Sequence, residues 1–149
     1  MHDDLQHFVA AQESVFAGAL QELRAGRKRS HWMWFIFPQL DGLGRSETAR
    51  RFAIQDLDHA RRYLQHPVLG PRLVQATQAA QAALADDTVL IDLFGPVDAQ
   101  KFISCMTLFA QAAAEDSIFA QALAGLQASD GTTLEMLGEQ GRAVRQRRP

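Results

Sequence analysis

Apolar residues recur along this chain at steps of three and four, and almost nowhere at steps of two. Leu5, Phe8, Val9, Val15, Phe16, Ala19, Leu20 and Leu23, with Gln12 in register among them, form one stripe, which predicts a single amphipathic helix over residues 5–23. Asp3 or Asp4 can cap its start, and Gly26 stands where a left-handed residue would close its end. Ser46 predicts another N-cap, with Glu47 suited to the positive helix end, and Asp56 opens a helix over 57–65 that His66-Pro67 stops. Leu69, Leu73, Ala76, Thr77, Ala80 and Leu84 mark a longer helix. Asp87 reads as the cap of a short one at 89–94, ended by Gly95-Pro96. Phe102, Met106, Phe109 and Ala113 make the clearest later stripe; Ile118, Phe119, Ala122, Leu123 and Leu126 make another, and 133–137 a short last helix. The expected fold is all-α: one multihelical domain of about seven helices over residues 1–141. A tail at 142–149 with four arginines and little to pack is expected to fray.

The helical pattern lapses once, in a connection of about twenty residues after Gly26, long for a compact domain. It contains Arg27-Lys28-Arg29-Ser30-His31-Trp32-Met33-Trp34-Phe35-Ile36-Phe37-Pro38-Gln39, with both tryptophans of the chain. Pro38 disfavours helix in the residue before it, so 32–37 is predicted as a short buried extended segment. An extended chain puts Trp32 and Trp34 on one face and Met33 and Phe35 on the other.

Composition narrows the class. The chain has 149 residues, 47% hydrophobic, with a formal net charge of −2, enough for one well-buried domain and too balanced for a polybasic nucleic-acid binder. Cys105 is the only cysteine, so neither an intramolecular disulfide nor a cysteine-rich zinc site is available, and a cytoplasmic setting is expected. Met1-His2-Asp3-Asp4 lacks the basic and apolar runs of a signal peptide, and no apolar run is long enough to span a bilayer. His2, His7, His59 and His66 show no ligand spacing, so neither a metal nor another cofactor is expected.

Aromatic planes beside cations and an imidazole are the materials of a recognition site, and equally of a core plug. In the functional reading His31 is the general acid or base, Trp32 and Trp34 stack a ligand, and Lys28, Arg29 and Ser30 contact anionic oxygens. Gly42, Gly44 and Ser46 lead into a helix start where backbone amides can approach an anion, although a turn and an ordinary cap explain them equally well. Asp98 and Lys101 form an i,i+3 pair on the later helix; if that face meets the tryptophan segment, Lys101 binds an anion and Asp98 orients His31. Cys105 reads as an inert thiol.

Residues Lys28 to Leu40, then Gly42-Leu43-Gly44 and Ser46, resemble the signature of the bacterial domain-of-unknown-function 1810 family. Tyr63-Leu64, His66-Pro67-Val68-Leu69-Gly70, Gly95, Asp98, Lys101 and the stretch 104–109 are similar to it too, with Cys105 where a small polar residue is expected. The resemblance implies a mainly helical single domain and no established activity. The calpastatin label of some members belongs with a disordered inhibitor and does not suit this globular composition.

Two functions compete. One is a pocket that binds or processes a small anionic molecule, a nucleotide or an ADP-ribose-like compound; the other is a non-catalytic module that docks a partner protein through the aromatic segment. Weak nucleic-acid binding by the arginine tail comes third. No membrane association is expected, and the chain is expected to be a monomer or weak dimer.

Overall fold

The computed structural model describes residues 4–146 in backbone, and side chains as far as residue 143. Among the described residues there are ten helices and no strand beyond an isolated parallel bridge between Leu40 and Ile54. They are α1 (Gln6–Gln12), α2 (Phe16–Arg24), α3 (Met33–Ile36), α4 (Glu47–Arg51) and α5 (Leu57–Gln65). α6 (Leu69–Ala85), α7 (Leu90–Phe94), α8 (Pro96–Ala112), α9 (Ile118–Leu126) and α10 (Gly131–Gln146) complete the order. The all-α class is as expected. The larger number comes from the one-turn α3 within the connection and from a break in the first stripe.

That break follows from a buried amide. Gln12 ends α1 inside the core, where its Nε2 donates to the Phe35 carbonyl at 2.6 Å and to Tyr63 Oη at 3.1 Å. The chain turns at 13–15 and resumes as α2, with Glu13 still in helical geometry, so the apolar spacing survives a break it does not reveal. Asp4 is not a cap: it takes both terminal nitrogens of Arg62 at 2.7 and 3.0 Å, and this pairing holds its carboxyl down at about 2. Asp3 lies outside the described residues. Ser46, Asp56 and Ser117 do cap their helices, through the amides of Ala49, His59 and Ala120. Asp87 does not; it adopts φ 68°, a left-handed turn between α6 and α7. His66 ends α5 and accepts from the amides of Val68 and Leu69, so it also helps to start α6. α10 extends the expected 133–137 helix through Gln146, which takes in the first part of the basic tail; residues 147–149 lie outside the described region.

α6 and α8, the two seventeen-residue helices, organise the packing. α6 lies against α2, α5 and α9, and α8 against α5, α7, α9 and α10. One aromatic cluster joins α3 to α8: Phe37 meets Phe94 and Phe102 edge-on at 5.8 and 5.1 Å, and Phe94 stacks on Phe102 at 4.9 Å. Such pairs contribute about 0.5–1.5 kcal/mol each beyond area burial.

The loop that carries the signature is shaped by the end of α2. Gly26, at φ 82°, closes a Schellman motif in which its own amide reaches Leu23 and that of Arg27 reaches Glu22. The reversed chain passes back over the Glu22 carboxylate. Oε1 accepts from the amides of Arg29 (2.6 Å) and Ser30 (2.9 Å) and from Trp32 Nε1 (3.0 Å), and Oε2 accepts from Ser30 Oγ (2.7 Å). Burial pushes this carboxyl up, but the donors from Ser30, Arg29 and Trp32 outweigh it and hold it at about 2.

Glu22→Ala leaves the Trp32 indole N–H buried without its acceptor and is expected to lower the unfolding free energy by about 2–3 kcal/mol in urea titration. A loss under about 0.5 kcal/mol would mean that the loop holds its shape without the carboxylate. The pH dependence has a definite sign. A carboxyl depressed from 4.5 to about 2 gives stability that is complete above about pH 4.5 and lost as pH falls through 2. The stability gap between wild type and Glu22→Gln should therefore narrow across that window, and a gap constant with pH would contradict it.

Candidate functional site

Pro38 restricts only Phe37, which is non-helical at φ −124°, and residues 33–36 are free to form the single turn of α3. A helical turn separates Trp32 and Trp34 by about 200° rather than placing them on one face. Trp32 points inward, 1% exposed, with its N–H bound to Glu22. It fills the core, and its expected role in stacking a ligand is corrected on that ground. Trp34 remains half-buried at the surface.

At Trp34 the loop and α8 do meet. Lys101 Nζ sits 3.7 Å from the centre of the Trp34 ring and 3.3 Å from Asp98 Oδ1. Lys28 Nζ reaches Asp98 Oδ2 at 3.0 Å and lies 5.0 Å from the Trp32 ring, with its side chain only 9% exposed. Lys28 is placed by its own backbone, whose amide donates to the Leu93 carbonyl at 2.7 Å. Gly95, at φ 83°, and Pro96 start α8 so that Asp98 falls in its first turn, where the helix dipole favours a carboxylate.

Two hollows open on either side of Lys101 and Trp34. The smaller, about 90 Å³, is walled by Lys28, His31, Met33 and Asp98 together with those two residues. The larger, about 430 Å³, runs past Gln39, Leu43, Gly44 and Val97 to Ser104 and Asp130. Its volume lies in the range of small-molecule sites. Of the other surface hollows, one between α6 and α9 is lined by Leu84, Ala122 and Leu126 with no cation. One beside α7, about 560 Å³, is lined by Arg27, Lys28, Asp92 and Phe94, with the Phe94 ring buried rather than presented as a face.

Five of the expected residues thus gather: Lys28, His31, Trp34, Asp98 and Lys101. His31 is exposed and its ring makes no hydrogen bond among the described residues; Asp98 shares its hollow but is engaged by the two lysines instead of orienting it. Arg29 and Ser30 are committed to Glu22 through their amides, and Ser30 also through its hydroxyl. Ser46 Oγ is occupied as a cap by the Ala49 amide at 3.0 Å. Gly42 packs beside Met136 at φ 101°. Gly44 is a close approach: an added Cβ would lie 2.6 Å from Ala49 Cβ and 3.3 Å from the edge of Trp34. Packing explains both glycines, and the helix they precede has only five residues. Cys105 is buried, which pushes its thiol well up and leaves it inert.

Several residues at the site gave no signal in the pattern of the chain. Glu22 lies outside the loop it shapes, although an acid one turn before a closing glycine and a basic run is a usable hint. Gln39 shows only as a polar residue between two buried apolar ones, Pro38 and Leu40. Asp130 takes Gln100 Nε2 at 3.2 Å and the Thr133 amide at 3.0 Å, so it caps α10 while lining the larger hollow. Among the described residues no three His, Cys, Asp or Glu side chains cluster to hold a metal, and no helix is long and apolar enough to cross a membrane.

The chain is similar to the conserved hypothetical protein Rv1873 from Mycobacterium tuberculosis, whose crystal structure aligns at a TM-score of 0.82 with 44% identity, over 91% of this chain and 96% of that one. Comparison with curated proteins finds no match. Residues 2–137 match the family described as protein of unknown function (DUF1810). With the 28–40 segment forming one wall of the site and α8 the other, the chain belongs to the DUF1810 family.

Proposed function

We propose that the paired hollows at Trp34 bind a small anionic molecule of nucleotide or ADP-ribose type. The observation that carries this reading is that two lysines share one carboxylate. Lys28 and Lys101 both reach Asp98, leaving one positive charge unanswered where the two hollows meet. An anion there completes the charge balance in a partly desolvated setting, where electrostatic attraction is stronger than in water. Movement of Lys101 toward that anion frees a face of the half-buried Trp34 indole for a ring of the ligand. His31, in the smaller hollow, is the group available to carry a proton if the ligand is also processed.

A thermal-shift panel of nucleotides, ADP-ribose, NAD and sugar phosphates tests this. A ligand at a hundred times its dissociation constant adds about 2.7 kcal/mol, roughly 5–11 °C in a domain of this size. Trp34→Ala and Lys101→Ala are expected to abolish the shift while the unliganded protein still melts cooperatively. A flat panel at saturating concentrations rejects the reading and favours a partner protein, for which the exposed apolar side chains of Val89, Ile91 and Val97 offer contact around α7 and the start of α8.

A further inference from the structure

We infer that Gln39 recognises the uncharged part of the ligand, and that this part is a nucleoside base; the inference rests on the anion-binding proposal above. Gln39 lines the larger hollow. Its Nε2 is buried and, alone among the buried side-chain nitrogens and oxygens of the described residues, has no hydrogen-bond partner there. Buried donors in native proteins are nearly always paired, and one left unpaired beside a hollow calls for an acceptor from outside the chain.

The amide is held on a fixed stretch of backbone. The Gln39 carbonyl accepts from the Ile54 amide at 2.8 Å, and the Asp41 amide donates to the Ile54 carbonyl at 2.8 Å, so both sides of the Leu40–Ile54 bridge pin it. Pro38, next to it, is buried. Gln100, Ser104 and Asp130, which also line the hollow, are already engaged. Gln100 Nε2 donates to Asp130, and Ser104 Oγ donates to the Gln100 carbonyl at 3.0 Å. Trp34, Leu43 and Val97 supply flat or apolar wall, Val97 being 68% exposed.

The complementary molecule is a flat, largely apolar ring with an in-plane acceptor for Gln39, a carbonyl oxygen or ring nitrogen, carrying its negative charge toward Lys101. A nucleoside phosphate has that arrangement. A sugar phosphate satisfies the lysines but offers Gln39 only hydroxyl and ether oxygens and gives Trp34 no flat ring to meet, and this difference can be measured.

Calorimetric titration of wild type and Gln39→Leu with AMP, UMP and ribose 5-phosphate makes the test. Wild type is expected to bind at least one nucleotide about tenfold or more tightly than ribose 5-phosphate. Gln39→Leu should weaken that nucleotide about ten- to a hundredfold and leave ribose 5-phosphate unchanged. The melting temperature of the unliganded variant should hold or rise, because no acceptor in the protein loses a donor; Gln39→Met, closer in shape, should repeat the result. Equal binding of nucleotides and ribose 5-phosphate, or nucleotide affinity unmoved in the variant, overturns the inference and leaves the anion proposal standing. A marked drop in melting temperature in both variants overturns it as well, since Gln39 would then serve the fold. Failure of all three phosphates to bind wild type removes the anion proposal, and the inference with it.

Discussion

The carboxylate of Glu22 is the constraint on which the site depends. It gathers two backbone amides, a hydroxyl and an indole N–H from the 29–32 segment, and every one of those groups is a donor. Only an ionised acid offers acceptors alone in that number; a glutamine would turn an NH₂ toward one of them. Glu22 thereby anchors Trp32 in the core and sets the point from which α3 begins. The direction of α3 places Trp34 outward against α8. One polar cluster at the end of α2 thus determines which tryptophan fills the interior and which faces solvent.

The helices were legible because their apolar faces repeat with the right period, and the caps at Ser46 and Asp56 because their chemistry is local. Two errors have a shared cause. The break after Gln12 and the turn at 33–36 both depend on partners distant in sequence: the Phe35 carbonyl and Tyr63 hydroxyl in one case, Glu22 in the other. Periodicity cannot register them. Within six residues, spacings of 2 and 3.6 predict opposite sharing of faces for Trp32 and Trp34, and Pro38 constrains too little of the segment to decide. At the site, Lys28, Trp34, Asp98 and Lys101 were readable from residue type and spacing. Gln39 was not, because what distinguishes it is a missing partner, and that is visible only in three dimensions.

The charge arrangement at Asp98 is unusual for a purely structural ion pair. A cation on a protein surface is commonly left to water, and a surface pair stabilises by at most about 1 kcal/mol. Here Lys28 is nearly enclosed, Lys101 rests on an indole, and both share one acid. Enclosing two cations against one anion opposes folding unless packing compensates for it. The surrounding structure supplies that compensation, because the Lys28 backbone is tied to Leu93 and its ammonium also reaches the Ser30 carbonyl.

These features place opposite departures from satisfied structure at the two ends of one groove. At the Lys101 end a positive charge lacks its full complement; at the Gln39 end a buried donor lacks an acceptor. Packing alone requires neither, since leucine fits the volume of Gln39 and one lysine suffices for Asp98. Local conflicts of this kind tend to occur at functional sites, where the rest of the fold must compensate for them. Trp34 lines the same hollow, its edge close to Gly44 and its face beneath the Lys101 ammonium. In the anion-binding proposal, a ligand that answers both ends lies along the hollow that Trp34 lines, and Lys101 is the group it displaces.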